Sequence, residues 1–378
     1  MLTAATRHLD PPLIALDHAA LLANAGDLVT RAGGTPVRVA SKSVRCRRVL
    51  DLALATPGFA GVMAYSLREA IWLVRNGVPD VLMGYPTADR AALVELAADA
   101  ALVDAVTLMV DAPEQLDLIR AAIGDAPLRV CLDIDASLRV GRLHLGVRRS
   151  PLRTPDRASE LARIAQAKGF VVVGVMFYEA QIAGLQDTSI GVRLMKRRSA
   201  AELATRRGAV RSAVESVVGP LQIVNSGGTG SLEISSADAA VTEVTAGSGL
   251  FVPALFDGYR SFAPRPALYF ALPVVRKPTD DIATLLGGGY IASGPAGRSR
   301  NPVLATPGLD LLGTEGAGEV QTPVRGTSAE GLQVGDRVWL RHAKAGELCE
   351  RFDTVHVVDD GAVVEAWPTY RGEGKSFG

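Results

Sequence analysis

The stretch VVVGVMFYE, residues 171–179, carries four valines, a methionine and a phenylalanine in its first seven positions. A strand with one face on water alternates apolar and polar residues. This one is apolar without a break until Tyr178 and Glu179, the pattern of a parallel strand covered on both faces. Working outward, similar short runs recur on either side. TPVRVAS (35–41), GVMAYS (61–66), VLMGYP (81–86), AVTLMVD (105–111) and LRVCLDID (128–135) precede it, and LQIVNSGG (221–228) and VTEVTAGSG (241–249) follow. Helix signals lie between the runs: Ser66 with Glu69 forms a capping-box pattern, Asp111 and Pro113 open PEQLDLIRAAIG, and Thr154-Pro155 opens DRASELARIAQAKG. Eight strand–helix units in about 250 residues fit a closed (β/α)8 barrel better than an open doubly wound sheet. The fold class read here is therefore α/β, a TIM-type barrel.

Past about residue 262 the texture changes. ALYFALPVV, TLLGGGYIAS, GEVQTPV, DRVWLRH and TVHVVDDGAVVEAWPTY alternate in the manner of strands between Gly, Pro and Asp turns. The Asp-Asp-Gly between two valine pairs is a hairpin signal. The expected division is a barrel over residues 15–262 and a mostly antiparallel β-domain over 263–378, joined by residues 1–14.

Composition narrows the partners. Of 378 residues, 48% are hydrophobic and 21% charged, and Lys plus Arg equals Asp plus Glu at 40 each, so no net field draws nucleic acid or an anionic membrane surface. No basic segment leads into a long apolar run near the start, which sets the expectation of a soluble cytoplasmic protein. Cys46, Cys131 and Cys349 are three, widely spaced and without a CxxC pair. Reduced thiols and no cysteine-based zinc site are expected.

In a barrel of this kind the functional groups sit at the carboxyl ends of the strands. The first run ends at Lys42, the second at Tyr65, the fifth at Asp135 with Arg139 beyond, and the sixth in YEAQIAG. The seventh and eighth end in NSGGTGS and TAGSG. There the amides of Gly227, Gly228, Gly230 and Gly249, with the hydroxyls of Ser226, Thr229 and Ser248, could cradle a phosphate. Each element has a plainer reading too: a glycine-rich turn is often only a tight turn, a strand-end lysine is usually solvated, Tyr85 reads as a packing aromatic, and Asp133 or Asp135 could simply close a salt bridge. Together, however, a strand-one lysine and a phosphate cup on strands seven and eight form the layout for pyridoxal 5'-phosphate, which needs a lysine amine, a phosphate anchor and groups that tune its ring. Arg139 could serve the phenolic oxygen, and a neighbouring Arg38 with burial would lower the lysine pKa.

The sequence resembles the fold-type III pyridoxal phosphate enzymes, the alanine racemase-like barrels, and within them the D-threonine aldolase and D-serine dehydratase branch. Their Arg-Pro-His-x-Lys stretch is matched by RVASK, which keeps Arg38 and Lys42 and replaces the Pro-His pair. DIDASLRVG matches their acidic-then-Arg segment, YEAQIAG their tyrosine loop with Tyr178 and Gln181, and SGGTG their phosphate loop. The resemblance spans nearly the whole chain. It implies a lyase acting on a β-hydroxy, D-configured amino acid by retro-aldol cleavage or dehydration, working as a homodimer.

One departure stands out. That branch binds a divalent metal through a His-x-Cys or His-x-Asp pair, and the counterpart here is RHAKAGELCERF. Aligned from GDRVWL, Lys344 and Gly346 fall at the ligand positions, with His342, Glu347 and Cys349 off register. The favoured expectation is that Lys344 supplies a fixed positive charge where the relatives use a metal, with Lys344 or His342 assisting the β-hydroxyl. The alternative is a shifted metal set of His342, Glu347 and Cys349. A racemase or epimerase is the second enzyme reading, with Tyr290 in GGGYIASG as the opposite base. A non-catalytic pyridoxal phosphate carrier is the third reading, disfavoured because the carriers of this fold lack a C-terminal β-domain.

Overall fold

The structure, a computed structural model, describes residues 2–263, 265–295, 297–344 and 346–378. The eight apolar runs form eight parallel strands that close on themselves in sequence order. They are Val37–Ala40, Phe59–Ala64, Val81–Met83, Val106–Val110, Arg129–Ile134, Val171–Phe177, Ile223–Ser226 and Glu243–Ala246, the first to eighth barrel strands. Closure is made by the eighth on the first, with Val244 opposite Val37 and Ala246 opposite Val39. Met63, Leu82, Met109, Cys131, Val173, Met176 and Ile223 point inward from the second to seventh strands and fill the interior. It is a packed core and not a pore.

The helix signals mark the starts of helices. Ser66 caps Leu67–Arg75 by accepting the Glu69 N–H, and the Glu69 carboxylate reaches back to the N–H of Tyr65 rather than to that of Ser66. Thr154 caps Pro155–Ala167, and proline opens both this helix and Pro113–Ile123. After the sixth strand the chain forms a helix of 29 residues, Ile190–Val218.

The C-terminal part is a mostly antiparallel sheet built around the long strand Leu268–Thr279, which pairs with Ile282–Leu286, Arg337–Arg341 and Leu13–Asp17. The N-terminal strand Leu13–Asp17 also lies parallel to Thr354–Asp359, so the chain start completes this sheet. Thr354–Asp359 and Ala362–Pro368 are joined by Asp360-Gly361, both at positive φ (45° and 76°). That is the two-residue turn which the Asp-Asp-Gly signal foretells.

Two compact units result. One comprises Asp27–Ser41, Ala53–Ala246 and Phe377–Gly378, and holds the barrel strands; the other comprises Met1–Gly26, Lys42–Leu52 and Gly247–Ser376, and holds the sheet. The division after Ala246 comes earlier than the change of texture near 262. Among the described residues no helix is long and apolar enough to cross a membrane.

Candidate active site

The glycine-rich turn after the seventh strand is built around a residue that the spacing of phosphate donors does not point to. Glu179, two residues past the sixth strand, is fully buried. Its carboxylate accepts from Ser226 Oγ (3.0 Å), the Gly227 amide (3.2 Å), Ser231 Oγ (3.0 Å) and Ser235 Oγ. Ser226 Oγ in turn accepts from Arg207 Nη2 at 2.8 Å, and Arg207 pairs with Asp238. The Gly228 amide donates to Ser231 Oγ at 3.2 Å. Glu179 thus fastens the turn through two of the donors expected to face a phosphate, Ser226 and Gly227. Gly227 has φ of +93°, and a Cβ at Gly228 would fall 2.9 Å from Ala183 Cβ and 3.7 Å from the Tyr178 ring. Only glycine fits that close approach. With the Gly227 and Gly228 amides bonded inside the turn, the part that could meet the phosphate end of the expected cofactor is Thr229-Gly230.

Beside it, the ends of the third to sixth strands gather a polar group. Arg149 lies over the rings of Tyr178 and Tyr85, at 5.5 and 5.8 Å from their centroids. Ser150, the next residue, is buried and donates to the Asp133 carbonyl at 2.6 Å. Asp133 is 8% exposed, and none of the described residues donates a hydrogen bond to its carboxyl. Burial pushes its pKa up to about 7, nearby Asp111 adds to the rise, and Arg149 opposes it. Asp135 behaves oppositely: burial alone would raise it, but hydrogen bonds from Ser137 and the Arg139 guanidinium hold it below the usual range. Asp135 is the one of the pair that closes salt bridges, to Arg139 (2.6 Å) and Arg153 (3.6 Å).

Other expected residues lie elsewhere. Arg38 points into the amino half of the barrel, where it bonds Glu243 at the start of the eighth strand (2.7 and 2.8 Å) and Asp80 just before the third (2.8 Å). Burial would lower its pKa, but these carboxylates raise it, and its hydrogen bonds make it a core ion pair rather than a partner of Lys42. Glu243 also accepts from Asn225, which bonds Thr245, so a polar chain runs up the barrel wall. Gln181 is buried and donates to the Ala136 carbonyl and to Ser199. Tyr65 borders a cavity of about 310 Å³ shared with Met83, Pro86, Thr87 and Phe377.

Lys42 is two residues past the first strand, in a single 3-10 turn, and Ser248 and Gly249 are two and three residues past the eighth. Within the sheet-bearing unit the loop after Arg337–Arg341 packs on both these segments. A Cβ at Gly346 would lie 2.4 Å from the Ser43 carbonyl carbon, and the carbonyls of His342 and Ala343 accept from the amides of Ala254 and Leu255. The half-buried Lys344 is therefore carried by a loop seated against the residues that follow Lys42. His342 is sealed: it is 3% exposed, its ring packs edge-on to Phe251, and among the described residues neither ring nitrogen has a hydrogen-bond partner. Burial, with Arg341 adding, pushes its pKa down to about 3. The shifted metal set does not assemble, since Glu347 turns to the Ser293 amide and Cys349 is a buried thiol beside Cys46. Among the described residues no three His, Cys, Asp or Glu side chains gather to hold a metal. Tyr290 sits against Phe270 and Phe352 (5.3 and 5.7 Å), and burial raises its pKa.

A family model described as alanine racemase, N-terminal domain, matches residues 16–254. The chain belongs to this family. Solved structures with similar folds include D-threonine aldolase from Filomicrobium marinum (21% identity, 96% of each chain covered, TM-score 0.81). D-threo-3-hydroxyaspartate dehydratase from Delftia sp. is similar at 19% identity, covering 96% of this chain and 97% of that one, with a TM-score of 0.78. Alanine racemase from Bacillus anthracis is similar at 15% identity, covering 96% and 98%, with a TM-score of 0.65. A search of curated protein sequences finds no match. The barrel followed by a C-terminal sheet is thus a full-length property of the alanine racemase-like fold. The residues that sequence reading missed, Glu179, Arg149, Ser231 and Ser235, owe their roles to where the chain turns after a strand, which no spacing rule encodes.

Proposed function

We propose that the chain is a pyridoxal phosphate-dependent lyase for a β-hydroxy amino acid, with Lys42 as the covalent anchor. The observation that carries the reading is positional: Lys42 follows the first barrel strand, whose neighbours in the barrel are the eighth and then the seventh, the two that end in glycine-rich turns. The cofactor, when bound, supplies an electron sink for charge developing at the substrate Cα. Because Ser226 and Gly227 bond Glu179 and the Gly228 amide bonds Ser231, the phosphate would be held in the turn by the amides of Thr229 and Gly230. Tyr178, against Gly228, would line its edge.

Lys42 would take the Cα proton if the reaction is dehydration. Lys344 would place an ammonium by the β-hydroxyl, as leaving-group assistance in dehydration or as charge stabilisation in retro-aldol cleavage. His342, neutral and sealed, would support the Lys344 loop rather than exchange protons. The D-preference and the choice of a β-hydroxy substrate are supported by the activities named for the aldolase and the dehydratase of similar fold. A homodimer is part of the same proposal, resting on the family resemblance of the sequence.

Racemisation is the second reading, supported by the likeness to alanine racemases. It needs Tyr290 as a phenolate, and the raised pKa of that residue weighs against it. The discriminating experiment incubates the pyridoxal phosphate-loaded protein with D- and L-threonine and D- and L-serine, with and without EDTA. Aldehyde, ammonia and Cα deuterium exchange are assayed separately. Aldehyde or ammonia from the D-isomers is expected. Deuterium exchange with loss of optical rotation and no cleavage would establish the racemase instead, and cofactor binding without any turnover would favour a carrier.

A further inference from the structure

Arg149 stands apart from the arginines around it. Arg139, Arg153 and Arg206, which surround the same strand end, are all in ion pairs with Asp135 or Glu202. Arg149 is exposed, and among the described residues it makes no hydrogen bond and no ion pair. Nor is it on a loose tether. Ser150 donates to the Asp133 carbonyl, the Leu152 amide donates to Ser150 Oγ at 3.0 Å, and the Asp135 amide donates to the Leu152 carbonyl at 2.7 Å. On the other side Gly146, at φ of +131°, is so close to Ser137 and Gln181 that a Cβ would clash with both. The loop is pinned on both flanks, and the guanidinium rests on the two tyrosine rings, which orient it while leaving its N–H fork unfilled.

We infer that Arg149 is the carboxylate-recognising residue of the barrel mouth and takes a carboxylate of the amino-acid substrate. This rests on the reading of the chain as an amino-acid enzyme. The planar fork of an arginine matches a carboxylate with two parallel hydrogen bonds. Asp133 does not cancel it, because the two are not in ion-pair contact and the Asp133 carboxyl is drawn toward its neutral form by burial and by Asp111. Tyr178 links this group to the glycine-rich turn, since its ring also borders Gly228.

The test uses the full chain loaded with pyridoxal phosphate, as wild type, Arg149→Met and Arg149→Lys. Each is titrated with D-serine, with ethanolamine (serine without its carboxylate) and with D-3-hydroxyaspartate, following the visible absorption of the cofactor. Affinity for D-serine is expected to fall about 10- to 100-fold in Arg149→Met, with partial recovery in Arg149→Lys. Ethanolamine binding and the affinity for pyridoxal phosphate should stay within about twofold. Equal losses for D-serine and D-3-hydroxyaspartate assign Arg149 to the α-carboxylate; a loss confined to the latter assigns it to a side-chain carboxylate. Both keep the inference. Parallel weakening of D-serine and ethanolamine, no change with any ligand, or a fall in cofactor affinity would overturn it. Failure of the underlying function reads out separately: a wild-type protein that takes up no cofactor, or answers to no amino acid, removes both before any variant is compared.

Discussion

Asp133 and Asp135 stand two apart at the end of the fifth barrel strand, and their pKa values move in opposite directions. Alternation along a strand places both inward, so the sequence pattern leaves them equivalent. What separates them is the return of the chain at Ser137, Arg139 and Ser150, which gives Asp135 donors and gives Asp133 none at its carboxyl. The consequence is measurable. An ordinary aspartate ionises near 3.9, whereas folded Asp133 holds its proton to about 7. Between those values the folded chain binds more protons than the unfolded one. The Asp133 contribution to stability therefore falls as pH rises from about 4 to 7, by at most about 1.4 kcal/mol per unit, and is flat above. Asp133→Asn should remove that slope, seen as a smaller loss of denaturation midpoint between pH 5 and pH 8. Curves with the same pH dependence would refute the burial account. Arg38 behaves as a buried ion pair, so Glu243→Gln, which leaves the guanidinium short of a charge partner, should cost about 3 kcal/mol in chemical denaturation.

At the scale of elements, the glycine-rich turn and the loop after Arg337–Arg341 are each fixed by close contacts within their own unit. The turn depends on Glu179. Glu179→Ala leaves buried hydroxyls and the Gly227 amide without their acceptor, so stability should drop by about 3 kcal/mol and pyridoxal phosphate affinity at least tenfold. Glu179→Gln, which retains an acceptor, should lose less on both counts in melting and cofactor titration. The loop depends on Gly346, where a Cβ would enter the Ser43 backbone. Gly346→Ala should destabilise by about 1–3 kcal/mol and reduce turnover through displacement of Lys344. Unchanged turnover in a correctly folded Gly346→Ala would remove Lys344 from the mechanism. The strands were legible because unbroken valine-rich runs have few other uses, and the Asp360-Gly361 hairpin because its turn demands positive φ. Leu13–Asp17 was less so. Five apolar-rich residues carry no mark of the sheet they join, since the partners Leu268–Thr279 and Thr354–Asp359 lie more than two hundred residues away.

For the molecule as a whole, the family and the architecture were both readable from the chain, because eight barrel runs followed by a turn-rich β segment admit few alternatives. Site chemistry was readable only in part. Lys42, Tyr178 and the SGGTG turn stand where strand-end logic puts functional groups, but Arg38 lies in the core, His342 is sealed, and Arg149 and Glu179 emerge only from geometry. The metal question also belongs at this scale. With no ligand set assembled among the described residues, cleavage or dehydration is expected to survive EDTA within about twofold. Complete loss restored by manganese or zinc would return a metal to the site. The most direct test of the central claim is borohydride reduction of the pyridoxal phosphate-loaded protein, followed by peptide mapping. The account predicts the label on the peptide containing Lys42, with none retained by Lys42→Ala. A label on any other lysine, or equal labelling of Lys42→Ala, would contradict it.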